Sequence, residues 1–192
     1  KNSSFSLFAA LLLLISGCDL IKSDKPTDIS LNLKSSSLIE SNNSFGFTFF
    51  EEVIATEVPN KNIMVSPLSV SQALSMAING AGGNTFSQMQ TMLGFNDFSL
   101  ADLNTSNQTI VSSLVGHDPK VKLQIANSVW YRNNFSVKSD FINNNKLYYS
   151  AEVNSYDPSQ PDKSKDKINK WVDDITNGKI DKIIEKINSD DA

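Results

Sequence analysis

The sequence predicts an α+β protein. Three observations carry that reading. Apolar residues recur at helical spacing in five or more segments, whereas period-two alternation appears in only two late stretches. The expected order is helix, strand, three helices, strand, helix, strand, helix, which is not the regular alternation of a parallel α/β sheet. Two long strands cannot build a sheet with an interior, and the broad apolar faces of the helices call for a wider surface. The missing strands are therefore expected from residues after Ala192.

The chain opens on a targeting segment. Residues Phe5 to Ile15 form an apolar run of about 11 residues behind Lys1, too short to span a bilayer and suited to a signal-peptide core. Ile15-Ser16-Gly17-Cys18 follows, an aliphatic residue, two small ones and the only cysteine of the chain. This matches a bacterial lipobox, in which small residues admit the peptidase and the thiol takes the lipid. The alternative is an ordinary signal peptide with an incidental cysteine. A diacylglyceryl group plus an N-acyl chain exceeds the two hydrophobic signals that stable anchoring needs. A single cysteine allows no disulfide within one chain. Residues Asp19 to Asn43, rich in Ser, Asn, Asp and Lys, read as a flexible tether.

Beyond the tether, Phe45, Phe49, Phe50, Val53 and Ile54 describe an amphipathic helix ending before Pro59. Asn62 to Val65 reads as a short buried strand. Ser66 then stands at an N-cap and Pro67 at the first helical position, where its missing N–H costs nothing. Leu68, Val70, Ala73, Leu74, Ala77 and Ile78 give that helix a broad apolar arc. Gly80 is placed for a C-terminal cap, and Thr85 with Gln88 for a capping box on the next helix, which Gly94 closes. Ser99 caps a helix over Leu100 to Val115. Val121 to Tyr131 alternates as a long strand, and Trp130 on its second face implies that this face is covered too. Ser139 caps a helix to about Tyr149, Ala151 to Tyr156 is a strand, and Pro161 opens a helix carrying Ile168, Trp171, Val172 and Ile175, closed by Asn177-Gly178.

The order and spacing of these motifs resemble the N-terminal half of a serpin, a serine-protease-inhibitor fold. Asn62-Ile-Met-Val-Ser66-Pro67-Leu-Ser69 resembles the strand that enters the central buried helix of that family. Asn79-Gly80-Ala81-Gly82-Gly83-Asn84-Thr85 resembles the break after it. Leu123-Gln-Ile-Ala126-Asn127-Ser-Val-Trp-Tyr131 resembles a strand of the large central sheet, and Tyr148-Tyr149-Ser-Ala151-Glu152-Val153 the step into an edge strand. Asn169-Lys-Trp171-Val172 with Thr176-Asn177-Gly178-Lys179-Ile180 resembles the helix across the sheet and its exit turn. Beyond the expected lipoprotein signal peptide of residues 1–18 and the tether of 19–43, the resemblance implies 44–192 as an incomplete serpin domain whose remaining strands lie beyond the chain end. It implies conformational roles for Ser66, Pro67 and Ser69 where the sheet parts, and for Asn169, Thr176 and Gly178 on the helix that yields when a cleaved reactive loop inserts as a new strand. The family's reactive loop lies near its C-terminus, so the reactive-site bond is not expected within these residues.

The implied parent function is serine-type endopeptidase inhibition by a suicide-substrate mechanism, with a serine or cysteine protease as partner. The chain itself, lacking the loop, is expected to be inactive. A non-inhibitory serpin-fold binding lipoprotein is the alternative. A monomer held in the bacterial cell envelope through Cys18 is expected, periplasmic or at the cell surface. A third class, a hydrolase using Ser66, finds no G-x-S-x-G context and a single histidine, His117, so no enzyme activity is expected. His117, in Gly116-His-Asp-Pro119, reads as an exposed turn residue without the companions a metal needs. Gly80 to Gly83 lacks the Lys-Ser/Thr of a phosphate loop. No metal or other cofactor is expected. A net charge of −4 without a basic patch argues against nucleic acid. Asn42, Asn104, Asn107 and Asn134 head glycosylation sequons whose occupancy a bacterial lipoprotein context disfavours.

Overall fold

The computed structural model describes residues 26, 28–29, 31–57 and 61–188. Four helices come first: α1 (Leu33–Thr56), α2 (Pro67–Ile78), α3 (Gly83–Leu93) and α4 (Leu100–Leu114). A strand–helix–strand unit follows, β1 (Ser128–Arg132), α5 (Ser139–Tyr149) and β2 (Glu152–Tyr156), and then α6 (Pro161–Ile175). The α+β expectation holds. The expected signal peptide and Cys18 lie outside the described residues.

Helix α1 begins eleven residues earlier than composition suggests, so the stretch from Leu33 to Asn43 is not a tether but helix. Asn32 caps it, its side-chain oxygen accepting from the Ser35 N–H at 2.8 Å. Ser35 and Leu38 are fully buried. The contacts that fix this turn are largely polar: Ser41 Oγ donates to Gly94 O at 2.8 Å, Ser71 Oγ to Asn42 Oδ1 at 2.5 Å, and Lys34 Nζ to Asp97 O at 3.0 Å. A face that packs through serine and asparagine has the composition of a linker. That is why it escaped the hydrophobic pattern.

The segment Asn62 to Val65 is extended, but it is neither a strand nor buried, and Met64 is 96% exposed. No strand among the described residues pairs with it, and an unpaired segment forms no ladder. Ser66 caps α2 through a Ser69 N–H contact of 3.4 Å, with Pro67 at the start of the helix. The buried face of α2 is Ser71, Gln72, Ser75, Met76 and Ile78, whereas Ala73 and Ala77 are exposed. Asn79, not Gly80, is the C-terminal cap, in a right-handed conformation. Gly80 serves a close approach instead: a Cβ there would stand 3.0 Å from the Phe141 ring. Helix α3 starts at Gly83 behind Gly82, so Thr85 and Gln88 lie inside it and make no capping box. Gly94 ends α3 at φ 71°, as expected of a left-handed cap. The Ser99–Asp102 capping box on α4 is fully formed.

Strands β1 and β2 pair in parallel through the α5 crossover, with Ser128 opposite Glu152 and Arg132 opposite Tyr156. The long strand expected from Val121 is shortened to five residues because its partner is five residues long; Val121 to Asn127 carries no ladder. Helix α5 takes Lys138 rather than Ser139 as its N-cap. A core of Leu38, Ile78, Leu93, Phe95, Phe98, Leu103 and Ile110 joins α1 to α4, and a smaller cluster of Met76, Tyr149 and Ala151 joins α2 to the β1–α5–β2 unit. Among the described residues no helix is long and apolar enough to cross a membrane.

Candidate functional site

The expected conformational residues fall into two groups. At the start of α2, the Ser66 and Ser69 hydroxyls lie 2.8 Å apart and share a hydrogen bond. Pro67 is wedged under α1, where a Cβ on buried Gly46 would come within 3.0 Å of the Pro67 ring. Cap, ring and glycine together lock the angle at which α2 leaves the extended segment. Ser66 has no nucleophile geometry here, since its hydroxyl is engaged with Ser69 and the helix N-terminus. His117 is half-buried at the end of α4, not exposed as expected, because it lines a shallow pocket of about 160 Å³ with Asp28, Ile29, Ser112, Ser113, Val115 and Gly116.

The second group, Asn169, Thr176 and Gly178, is brought together on the last two turns of α6 and the reversal that follows it. Gly178 at φ 73° and Asn177 at φ 54° reverse the chain, and the Gly178 N–H donates to Asp173 O at 2.8 Å. The exit segment then runs back along the helix. Thr176 Oγ1 donates to Val172 O at 2.7 Å and accepts from the Ile180 N–H at 3.1 Å. The Asn169 carboxamide accepts from the Ile183 and Ile184 N–H groups at 3.0 and 3.1 Å and donates to Ile184 O at 2.8 Å.

Two tryptophans and a lysine complete the arrangement. Trp130 of β1 and Trp171 of α6 meet edge to face with ring centroids 6.5 Å apart. Lys167 lies over the Trp130 ring at 5.3 Å and donates to Ser155 O of β2 at 3.2 Å. Thus α6 covers one face of the strand pair, as Trp130 implied. The Asn127 side chain donates to Tyr149 O at 3.0 Å while its own carbonyl accepts from the Glu152 N–H at 3.0 Å, fastening the end of α5 to the entry of β1.

Behind the strands, a buried polar seam joins α2, α4 and α5. Asn79 and Asn104 exchange amide hydrogen bonds at 2.8 and 3.1 Å, and Gln72 Nε2 donates to Asn107 Oδ1 at 2.6 Å. The Tyr149 hydroxyl donates to Asn104 Oδ1 at 2.8 Å. Burial pushes the ionisation of that hydroxyl well above its ordinary range, outweighing the side-chain hydrogen bonds of Asn79, Asn107 and Ser75. Two of the four sequons fall in this seam: Asn104 and Asn107 are buried, Asn42 is bonded to Ser71, and only Asn134 stands exposed in a turn. Spacing alone could not have found the seam, since amides on a helix face read as solvated. No cluster of three metal-ligating side chains is present among the described residues.

Comparison with known proteins places this arrangement. Residues 40–192 match the family model described as Serpin (serine protease inhibitor). An uncharacterised serpin-like protein of Methanosarcina acetivorans is 32% identical over 189 residues, covering 94% of this chain and 43% of that protein. The thermophilic serpin tengpin in its latent state superimposes with a TM-score of 0.71 at 32% identity, covering 86% of this chain and 43% of tengpin. Human thyroxine-binding globulin superimposes with a TM-score of 0.73 at 30% identity, over 82% of this chain and 42% of that one. The chain therefore spans less than half the length of these relatives and covers only part of their fold. With residues 40–192 matched by the family model, the chain belongs to the serpins.

Proposed function

We propose that the intact protein is a serine-type endopeptidase inhibitor acting as a suicide substrate, with a serine or cysteine protease as its target. What supports this reading is the serpin match over residues 40–192, together with a two-stranded parallel sheet overlaid by a helix held mainly through side chains. In such a mechanism the protease cleaves a reactive loop, the loop enters the sheet as a strand, and the acyl-linked protease is carried away and distorted. In this reading Ser66, Pro67 and Ser69 at the base of α2, with Asn169 of α6 and Thr176 and Gly178 just beyond its end, serve the sheet's movement. Protease contact would fall to the portion of the relatives that this chain does not span, so residues 1–192 alone are expected not to inhibit.

The test is incubation of the full-length protein with trypsin-like and chymotrypsin-like proteases and with a papain-like cysteine protease. A covalent complex stable to denaturing electrophoresis is expected, and none with residues 1–192. Cleavage of the loop without a complex, and without a rise in thermal stability, would leave the second reading. That reading is a non-inhibitory binding protein on the same fold, and the similarity to thyroxine-binding globulin, whose name records a bound ligand, favours it.

We infer further that the protein is lipid-anchored at Cys18 in a bacterial envelope, from the apolar run and Ile15-Ser-Gly-Cys18. Mass spectrometry of the mature N-terminus should find a lipidated cysteine, and Cys18→Ala should abolish it. A mature protein beginning at another residue would end this reading.

A further inference from the structure

The chain that joins Cys18 to the fold is shorter than its composition suggests. Asp28 and Ile29 already lie on the domain, where they form one wall of the small pocket at the end of α4, opposite Val115, Gly116 and His117. Asp28 is the tenth residue after Cys18. Ten residues span about 35 Å when fully extended, and about 18 Å on average as a flexible coil. A fold of this size is about 40 Å across. A tether of that length is too short to swing round the domain, so an anchor at Cys18 keeps one particular end of the fold near it.

That end is a built turn. Gly116 reverses the chain at φ 78°. Asp118 then closes it, its carboxylate accepting from the Lys120 N–H at 2.8 Å and its carbonyl from the Val121 N–H at 3.0 Å. Val115 and Val121 are exposed, 47% and 61%, and so are Lys120 and Lys122. Short apolar groups beside lysines suit a headgroup layer, where lysine stems lie along apolar surface and the ammonium groups stay in water. Charge alone does not select this end, because Asp28 and Asp118 balance Lys120 and Lys122. The length of the tether and its point of attachment decide the orientation.

We propose that the tether holds the C-terminal end of α4 and the turn of residues 116–122 against the lipid headgroups, with the N-terminal end of α4 farther from the bilayer. The orientation rests on lipidation at Cys18. It makes Val115, Val121 and the two lysines a membrane-facing surface and leaves the opposite end of the helical region open to soluble partners.

The test uses the full-length lipidated protein in vesicles of phosphatidylethanolamine and phosphatidylglycerol that carry a spin label on the headgroup. Fluorophores are placed on single cysteines, Val115→Cys or Ala101→Cys, both exposed positions of α4 or its cap. Quenching should be about twofold or more stronger at position 115, since the two sites are about 21 Å apart along one helix. The contrast should persist in high salt, which screens exposed charges. It should vanish when about 30 Gly-Ser residues are inserted after Ser23, because the mean reach of the tether then rises to about 35 Å. Equal quenching on the natural tether would overturn the proposal. So would a contrast that salt removes or that the spacer leaves in place. Ser112→Cys, exposed one turn before Val115, gives the same measurement if Val115→Cys fails to fold. Mass spectrometry of the same sample separates the two readings: protein without lipid ends the anchoring reading and the orientation with it, whereas lipidated protein with equal quenching ends the orientation alone.

Discussion

The region from Leu33 to Leu114 and the region from Ser128 to Ile184 are held by different means. In the first, four helices surround seven buried apolar side chains, and the termini of α1 and α4 carry complete side-chain caps. In the second, every residue of β1 is half-exposed, the sheet has two strands among the described residues, and the buried cluster of Tyr149 and Ala151 is shared with Met76 of α2. A two-stranded sheet is marginal by itself. The contrast teaches that the helical region supplies most of the rigid frame, while the strand region rests on it through a polar seam and two tryptophans.

The largest expected difference is in the cores. Phe95 is fully buried and packs edge to face on Phe98 with centroids 6.0 Å apart. Phe95→Ala should lower stability by roughly 3–5 kcal/mol, the range for deleting a buried aromatic. Val129→Ala on half-buried β1 should cost about 1 kcal/mol, because less surface is lost and the site is open to water. Urea midpoints at constant slope measure both. Equal costs would mean that one core spans both regions and that the division is false.

The joint between the regions can be strained directly. Gly80 leaves α2 and faces the Phe141 ring of α5. Gly80→Ala places a methyl 3.0 Å from that ring, an overpacking expected to cost about 1–3 kcal/mol. Exchange of α5 amides should accelerate more than that of α1. Uniform acceleration would show that the joint is not local.

Tyr149 links α4 to α5 through Asn104, so it reads the same joint by pH. Its ionisation in the folded chain lies above the ordinary value of 10.0. The folded chain therefore binds that proton more tightly than the unfolded chain does. The associated stability is complete below pH 10 and is lost as pH rises above it. Tyr149→Phe should cost about 1–2 kcal/mol near neutrality, for the lost hydrogen bond and a less satisfied Asn104. It should also flatten the alkaline fall in stability, as followed by urea titration between pH 9 and 11. An unchanged alkaline slope would place the responsible group elsewhere.

What the sequence made legible is what local chemistry decides. Ser66-Pro67, Ser99, Gly94, Pro161 and Asn177-Gly178 are caps and stops whose geometry depends on a few neighbours, and each stands where its type predicts. The start of α1, the buried face of α2 and the seam of Asn79, Asn104 and Asn107 were illegible for a single reason. They pack through polar side chains, and their partners are 25 to 63 residues away. The expected strand at Asn62 to Val65 failed because strand pattern is realised only against a partner. Asn169 drew notice only through its family resemblance; its grip on Ile183 and Ile184 follows from a reversal at Gly178 that spacing does not reveal.

The smallest effect is the most discriminating, because one substitution can be made identically in both regions. Gly94 at φ 71° ends α3, and Gly178 at φ 73° ends α6. Alanine in a left-handed conformation costs about 1–2 kcal/mol at either position. A Cβ at Gly94 would also meet Ser41 of α1 at 3.5 Å, an ordinary contact, so strain of the backbone dominates at both sites. If α3 unfolds only with the whole domain, Gly94→Ala must lower the global urea midpoint by its full cost. If α6 and the segment Lys179 to Ile184 open separately from the helical frame, the cost of Gly178→Ala falls on that local opening. It should then leave the global midpoint nearly unmoved while Ile183 and Ile184 exchange about tenfold faster. Equal shifts of the global midpoint would join α6 to the frame. A larger midpoint shift from Gly178→Ala would reverse the assignment of rigid and mobile regions.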